Sequence, residues 1–304
     1  MSTAKPSPGL KELLHSAQLP ALPQSAIRLL ELSQNPDNGP AEFAVPIESD
    51  PGLTSQVLKF VNSSYFGFSR EISSVKLAIT LVGIRTIKNF ALWSAVFSLM
   101  PNPKCGPFDL KSLWQDSLRR GIFARAFGKI LGQKETEELF AASLLQDMAV
   151  PLLAKEQPVR YLKLFESRCH GESRLSDLER AEFGWTHAEA AGYMARHWSL
   201  PEEFAKLIEA HTQLDQLLGS QSKEVGKLAV ALSALLPANQ DEQWYEREKF
   251  LAAYETLAAN RGRQVADLFE QIDTEFAEFA PVLKLATPAK SLVQHLAAEP
   301  AKVG

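Results

Sequence analysis

The chain has 304 residues, of which 45% are apolar and 22% are charged, and its formal net charge is −4. This composition is typical of a globular protein with a real core. The mild acidity disfavours a broad nucleic-acid interface, which needs clustered lysine and arginine to neutralise phosphates. We therefore expect no nucleic-acid partner, and we interpret Arg119–Arg120 and Arg261/Arg263 as parts of solvated helix faces.

No segment of the sequence predicts a membrane span. The longest apolar run, from Phe90 to Met100, is much shorter than the roughly 20 residues that a bilayer requires. The N-terminus lacks the apolar core of a secretory signal. Only two cysteines occur, Cys105 and Cys169, which fits a reducing compartment. These features predict a cytoplasmic protein without membrane insertion, whose thiols are unreactive.

Apolar residues recur at helical spacing along most of the chain and predict an all-α fold. Asp50–Pro51 has the form of a helix start, an N-cap followed by a proline in the first turn. The predicted helix faces comprise Leu53, Val57, Leu58 and Val61; Leu110, Leu113, Trp114, Leu118 and Ile122; and Leu139, Ala142, Leu145, Ala149 and Leu152.

Three short sequences have the form of a capping box, in which a Ser or Thr and a Glu three residues later satisfy the first amides of a helix. They predict three closely spaced helix starts. The pairs are Ser176 with Glu179, Thr186 with Glu189, and Ser199 with Glu202.

Proline and glycine divide the predicted helices into regions. The stretch from Met100 to Pro107 holds three prolines and a glycine, which cannot continue a helix. It separates an N-terminal helical lobe, 15–100, from a second lobe, 108–213. We expect a flexible lead at 1–14 and a C-terminal helical extension at 214–304, with a weakly ordered tail after Pro288. The extension could pack on the core or form a homodimer.

Motifs in the second lobe resemble the HD superfamily of metal-dependent phosphohydrolases. They surround Asp116, Gln146–Asp147, His187 and His211. In that superfamily, histidines and an adjacent His-Asp pair on packed helices hold metal ions, which activate water for attack on phosphorus. The resemblance implies a multi-helical HD-like bundle built around these positions.

The first lobe is similar to one branch of this superfamily, the HDOD domain, an HD-related output module of bacterial signalling proteins. Asp50–Pro51, Asn62–Ser63, Phe66–Gly67 and Val82–Gly83 stand where the HDOD pattern expects them. The resemblance covers about residues 15–213 and does not reach the C-terminal extension. It implies a role in bacterial signal transduction.

The sequence departs from the hydrolase pattern at the positions that would bind metal. Asp116 stands where the pattern has a histidine, and Gln146 replaces the histidine of the His-Asp pair. The helix expected to supply a final carboxylate, 225–233, contains no Asp or Glu. Because Gln is a weak, neutral donor and two metal ions need several strong ligands, we expect no catalytic residues, no metal and no other cofactor.

Each surviving position also has a purely structural interpretation. His187 would lie on a helix surface, in the first turn after the Thr186 cap, and His211 would be a cation that complements a helix C-terminus. Asp147 would be a hydrogen-bonded residue between helices. As a candidate cleft for a ligand or partner, between the two lobes, the sequence suggests Asn62, Ser63, Trp114, Asp147 and His187.

These observations predict a non-catalytic output or scaffold module that acts through protein partners or a bound small molecule. The resemblance implies partners among signalling proteins, including those of cyclic-dinucleotide or two-component circuits. The alternative is a divergent phosphohydrolase or phosphodiesterase that uses Asp116, Asp147, His187 and His211 around a single divalent metal. Metal content and turnover would separate these two hypotheses.

Overall fold

The computed structural model describes residues 9–17, 19–220, 224–259 and 261–298. Within these ranges every regular element is a helix and no strand occurs, so the predicted all-α class is confirmed. No helix of the described chain combines the length and the apolar character needed to cross a membrane. A single continuous hydrophobic core joins the helices of all three regions.

The N-terminal lobe consists of short helices whose starts are fixed by local signals. Asp50 caps α4 as predicted, because its carboxylate accepts the backbone N–H of Leu53 at 3.0 Å. Gly83, at φ +100°, separates α5 from α6, a backbone conformation that favours glycine. The helices are α1 (Leu10–Ser16), α2 (Gln24–Leu32), α3 (Pro40–Glu48), α4 (Pro51–Val61), α5 (Val75–Val82) and α6 (Ile84–Leu99).

The second lobe is built around one long buried helix, α7, which begins after the proline-rich break. Asp109 caps this helix by accepting the backbone N–H of Ser112. Helix α7 packs against α8 and against two helices of the C-terminal extension. The α-helices of this lobe are α7 (Leu110–Ile130), α8 (Thr136–Leu145), α9 (Ala149–Glu156), α10 (Pro158–Ser167), α11 (Leu175–Phe183), α12 (His187–His197) and α13 (Glu202–Ala210).

The C-terminal extension packs back on both lobes, as one of the two alternatives left open by its sequence predicts. Phe279 contacts Phe60 and Tyr65 of the first lobe, with ring centroids 5.4 and 4.3 Å apart. Arg125 of the second lobe donates to Glu275 at 2.7 Å. The helices are α14 (Leu214–Gly219), α15 (Val225–Ser233), α16 (Arg247–Ala258), α17 (Val265–Phe279) and α18 (Leu292–Ala297).

Helices occur in the described parts of both segments for which the sequence predicts weak order. The expected flexible lead becomes helical at Leu10, because Leu13 and Leu14 are buried in the core. The expected weak tail after Pro288 forms α18, whose first amides, those of Leu292 and Val293, donate to the Asp273 carboxylate. Residues 1–8 and 299–304 lie outside the described chain.

Only one of the three predicted capping boxes forms. Thr186 and Glu189 cap α12 as predicted, and the Thr186 backbone N–H donates to Glu189 at 2.8 Å. Ser176 instead lies inside α11, because Glu179 is hydrogen-bonded to groups on other helices. Ser199 adopts φ +56°, and α13 starts after Pro201. All three helices exist, although two of their starts are set by other residues.

The predicted helix face from Leu139 to Leu152 is divided between two helices. A turn at residues 146–148 separates α8 from α9. Leu145 and Ala149, on either side of this break, are both fully buried. The break therefore keeps the apolar face intact, and it places Gln146 and Asp147 in a turn.

Replacement of Leu145 by alanine tests the position of α8 in the core. Because Leu145 is fully buried, Leu145→Ala is expected to lower the free energy of unfolding by about 2–5 kcal/mol. The matched control is Leu81→Ala, since Leu81 is 48% exposed, and its effect should stay within about 0.5 kcal/mol. Chemical denaturation measures both changes. An unfolding free energy for Leu145→Ala equal to that of the wild type would contradict the packing.

Candidate metal centre and its cavity

A cavity of about 720 Å³ opens into the second lobe. One wall is formed by the first turns of α7, another by the chain around residues 165–176, and a third by segment 234–246, which connects α15 to α16. All five positions identified in the second lobe from the sequence line this cavity: Asp116, Gln146, Asp147, His187 and His211.

Three of these side chains converge to a point at the inner end of the cavity. The Nε2 atoms of His187 and His211 lie 3.0 Å apart. The Oδ1 atom of Asp147 lies 3.2 Å from the first of these nitrogens and 3.5 Å from the second. The three residues come from different places: the turn after α8, the first position of α12, and the residue that follows α13.

His187 is buried, so the prediction of a surface position is wrong. Its ring Nδ1 donates to the carboxylate of Glu179 at 2.6 Å, and its backbone N–H donates to the same oxygen at 2.7 Å. Tyr161 donates its hydroxyl to the other oxygen of Glu179 at 2.7 Å. Burial alone would lower the pKa of His187, but the carboxylates of Glu179 and Asp147 outweigh it and raise that pKa to about 10.

His211 is a neutral imidazole and not the cation that the sequence suggested. Burial lowers its pKa to about 3, and the charges of His187 and Arg120 add to this effect. The ring is fixed by its Nδ1–H, which donates to the carbonyl of Ile208 at 2.6 Å. Its Nε2 therefore presents a lone pair toward His187 and Asp147.

Asp147 is ionised and is held by an internal cation. Its Oδ2 atom accepts a hydrogen bond from Arg120 of α7, and both side chains are largely buried. Burial would raise the pKa of Asp147, but Arg120 and the two histidines hold it well below its usual range. Arg120 is thus not part of a solvated helix face, and the interpretation of Arg119–Arg120 in that way is wrong for both residues, since Arg119 is only 2% exposed.

The late helix, α15, brings a serine and no carboxylate to the side of Gln146. The Ser233 hydroxyl lies 3.4 Å from the Oε1 atom of Gln146 and 3.4 Å from the hydroxyl of Ser143. It also donates to the carbonyl of Val230 at 2.6 Å. Gln146 and Ser233 therefore lie next to each other, are fully buried and offer only neutral oxygens.

Asp116 lies apart from the three converging side chains and has its own partner. One of its carboxylate oxygens accepts the backbone N–H of Asn239 at 2.9 Å. Burial raises its pKa to about 6, although Arg120 and Arg119 oppose the increase. Asp116 thus attaches segment 234–246 to α7.

The structure does not assemble the candidate cleft that the sequence suggested. Only Asp147 and His187 of that set line the cavity. Asn62 ends α4 and exchanges two hydrogen bonds with the backbone of Ile72. Ser63 bonds the carbonyl of Phe60, and Trp114 is buried against Phe97. These three residues serve the packing of the fold.

Two residues of the site were not identified from the sequence. Arg120 was assigned to a surface, and Glu179 was assigned to a cap. A charged residue within a mostly apolar helix can signal a buried ion pair. The partner of Arg120 could not be identified in this way, because Asp147 is 27 positions away in the sequence.

The donor set fits one divalent ion but not a pair of ions. Asp147, His187 and His211 each offer one ligand atom, and these atoms lie within 4.8 Å of one another. Glu179 and the Ile208 carbonyl orient the two rings, as acceptors behind metal-bound histidines do. A second ion lacks strong ligands at Gln146 and Ser233, and Arg120 already occupies the second oxygen of Asp147. An ion in such a site would act as a Lewis acid toward phosphoryl oxygen.

The protonation of His187 gives a test of the site. Because its pKa is raised from 6.5 to about 10, its contribution to stability is complete below pH 6.5 and is lost as the pH rises through about 10. Nitrogen NMR of metal-free protein at pH 8 should show both ring nitrogens of His187 protonated. Glu179→Gln should lower this pKa and move the loss of stability to lower pH.

Glu189→Gln is the matched control, because Glu189 lies on the same helix as His187 and accepts the backbone N–H of Thr186. It should leave the His187 resonances and the pH dependence of unfolding unchanged. A neutral His187 ring in the wild type at pH 8 would contradict the assignment of charge.

Comparison with known proteins relates this architecture to a family. The family description of the HDOD domain matches residues 19–214. A protein of Treponema pallidum (strain Nichols), itself uncharacterised, is 25% identical over 197 residues, which are 64% of this chain and 38% of that relative. The chain thus matches well under half of the length of that relative.

Solved structures share the fold over nearly the whole chain. An HDOD domain protein of unknown function from Geobacter sulfurreducens superposes with a TM-score of 0.71 at 20% identity, covering 90% of this chain and 96% of that one. A Shewanella amazonensis SB2B protein, provisionally named a phosphohydrolase, gives 0.71 at 22%, covering 92% and 99%. A Marinobacter aquaeolei VT8 protein, provisionally named for signal transduction, gives 0.67 at 20%, covering 90% and 64%. The chain belongs to the HDOD domain family.

Proposed function

We propose that this protein is a non-catalytic output module of bacterial signal transduction, which acts through protein partners. One observation carries the proposal: the carboxylate of Asp147, which a hydrolase would commit to metal, is bound by the guanidinium of Arg120. The charge of the site is balanced by residues of the chain itself, because Glu179 similarly faces the protonated His187. Arg120, Asp147, His187 and Glu179 thus form a buried ion-pair network.

Two further features of the site support a loss of hydrolytic chemistry. A two-metal mechanism requires ligands for both ions and a bridging group, and Gln146 and Ser233 supply only neutral oxygens. Arg120 would also have to give up its partner before Asp147 could bind metal with both oxygens. Removal of one member of a buried ion pair costs about 3–5 kcal/mol, so binding of an ion by both oxygens of Asp147 would compete against a stable contact.

Action through partners is supported by apolar side chains that the fold leaves exposed. Val45 of α3 is 65% exposed, and Leu77 and Leu81 of α5 are 45% and 48% exposed. Helices α3 and α5 pack against each other, so these residues belong to neighbouring helices of the N-terminal lobe. Leu77 and Leu81, four residues apart, share one face of α5, and exposed apolar patches mark interaction sites on soluble domains. Signalling proteins of cyclic-dinucleotide or two-component circuits, in the bacterial cytoplasm, are the partners that we propose.

A second candidate function is favoured by the convergence of the three ligand atoms. In this alternative, Asp147, His187 and His211 would hold one divalent ion, and Asp116 would assist a divergent phosphohydrolase or phosphodiesterase. A set of two histidines and one carboxylate is a known ligand set for divalent iron. The candidate differs from the first in requiring metal for its activity.

Turnover of a generic phosphodiester separates the two functions. We expect no hydrolysis of bis(p-nitrophenyl) phosphate by the wild type with Mn²⁺, Fe²⁺ or Mg²⁺ above the rate of Asp147→Ala. The variant Gln146→His should also remain inactive, because Ser233 still supplies no carboxylate and Arg120 still pairs with Asp147.

Metal-dependent hydrolysis by the wild type that disappears in Asp147→Ala would establish the second function. Hydrolysis gained by Gln146→His alone would show that the missing-ligand argument is wrong. Circular dichroism of each variant serves as the folding control, since Gln146 and Asp147 are buried.

A further inference from the structure

The cavity is large, but many of the side chains that line it are screened from solvent. Asp147, Val150 and His211 line the cavity and are buried. Other lining residues are exposed, such as His170 between α10 and α11 and Gln240 between α15 and α16. Access of a molecule larger than water to the buried centre therefore depends on the contacts that hold these outer walls together.

Two ion pairs join the outer walls at residues 168–174, which we call the strap. Arg168 donates to both carboxylate oxygens of Asp241, at 3.0 and 2.9 Å. The Nε atom of Arg174 lies 3.5 Å from a carboxylate oxygen of Glu246. Both carboxylates belong to the opposite wall, so the two pairs fasten the strap at its first and last residues.

The opposite wall, segment 234–246, is fixed to the core. The backbone N–H of Asn239 donates to Asp116 at 2.9 Å, and the Asn239 side chain donates to Gln115 at 2.6 Å. Trp244, in the same segment, is buried. This wall is therefore the support, and the strap is the part that can move.

The strap itself has little packing to hold it. Every one of its residues is at least partly exposed. Gly171 and Ser173 donate their backbone N–H groups to the carbonyl of Arg168, at 2.9 and 3.2 Å, so these hydrogen bonds close within the strap. Regions with few buried apolar contacts open locally at a lower free energy than the rest of a fold.

The backbone of the strap is strained where it faces Asp241. Cys169, His170 and Gly171 lie in the left-handed region, at φ +45°, +56° and +109°, which is unfavourable for residues that carry a Cβ atom. A Cβ atom at Gly171 would lie 2.6 Å from the carboxyl carbon of Asp241, so glycine permits the close approach. Strained backbone persists where surrounding contacts hold it, and loss of the pair with Arg168 would let it relax.

We propose that the strap is a gate, closed by its ion pairs with Asp241 and Glu246, and that its opening admits small molecules to the centre at Asp147. Closure would retain a bound molecule, as lids over binding sites do. Opening separates two pairs of charges, so solvent ions that screen these charges favour the open state. The gate does not depend on catalysis, and its test is independent of the proposed non-catalytic function.

Thiol labelling inside the cavity tests the gate. Val150 lines the cavity from α9, outside the strap, and Val150→Cys in a Cys169→Ser background places a reporter thiol there. Dithiodipyridine should modify this thiol much more slowly than it modifies the exposed Cys169 of the wild type. Asp241→Asn, added to the reporter chain, should raise the rate by about tenfold, because it removes the charge that binds Arg168. Molar NaCl should accelerate the reporter chain more than the Asp241→Asn variant.

Two controls separate opening of the gate from general loosening of the fold. Cys105 is buried and does not line the cavity, so its rate of modification reports global unfolding and should be the same in every variant. Asp215→Asn is the matched substitution, because Asp215 also forms an ion pair between two parts of the chain, with Lys249 at 2.7 Å. It should leave the reporter rate unchanged.

Gly171→Ala opens the gate by a different route, because the added Cβ atom collides with Asp241, and it should also raise the reporter rate. Gly83→Ala is its control, since Gly83 has a similar φ of +100° and no atom within 4 Å of the added Cβ atom. A reporter thiol that reacts as fast as Cys169, a rate that neither Asp241→Asn nor Gly171→Ala changes, or an equal rise in the Cys105 rate would each overturn the proposal.

Discussion

The contact between Arg120 and Asp147 is the constraint on which the centre of the second lobe depends. A carboxylate buried among helices is unstable unless it is paired and hydrogen-bonded. In this chain a guanidinium from α7 binds one oxygen of Asp147, and the other oxygen faces two histidines. The ring of His187 lies between the carboxylates of Glu179 and Asp147, and a protonated ring donates to both of them.

Helix α7 connects the buried centre to the rest of the fold. Arg120 reaches the buried centre, Asp116 accepts the amide of Asn239 from segment 234–246, and Arg125 bonds Glu275 of α17. One helix thus positions the centre, an outer wall of the cavity and the C-terminal extension. The extension lies mostly outside the family match, but its packing on α7 makes it part of the same core.

The parts of the fold that local chemistry determines could be predicted from the sequence. Asp50 and Thr186 mark helix starts, because their caps depend on residues within one turn. The missing ligands at Gln146 and in 225–233 could be recognised from the resemblance to a known family. Ser176 could not be distinguished from a true cap. Glu179 would complete that capping box, but its carboxylate is hydrogen-bonded to His187 and Tyr161, which lie on other helices. The burial of His187 could not be predicted either. The Thr186 cap predicts where α12 begins, but it does not predict which face of the helix becomes buried.

The segment 234–246 was beyond the reach of sequence patterns. It has no helical period, and its contacts are made with residues far away in the chain, such as Asp116 and Arg168. These contacts help to form the cavity. Sequence patterns do not reveal contacts between residues so far apart, so the sequence could suggest only a cleft between the two lobes. Asn62, Ser63 and Trp114 were assigned to that cleft, and in the structure they complete turns and the core instead.

Calorimetric titration of metal-free protein with Mn²⁺ tests the central claim most directly, because it measures whether Arg120 has replaced the ion at Asp147. The wild type is expected to show no stoichiometric binding of Mn²⁺ at micromolar concentration. Binding of one equivalent with micromolar affinity, abolished by Asp147→Ala in a variant that remains folded, would contradict it.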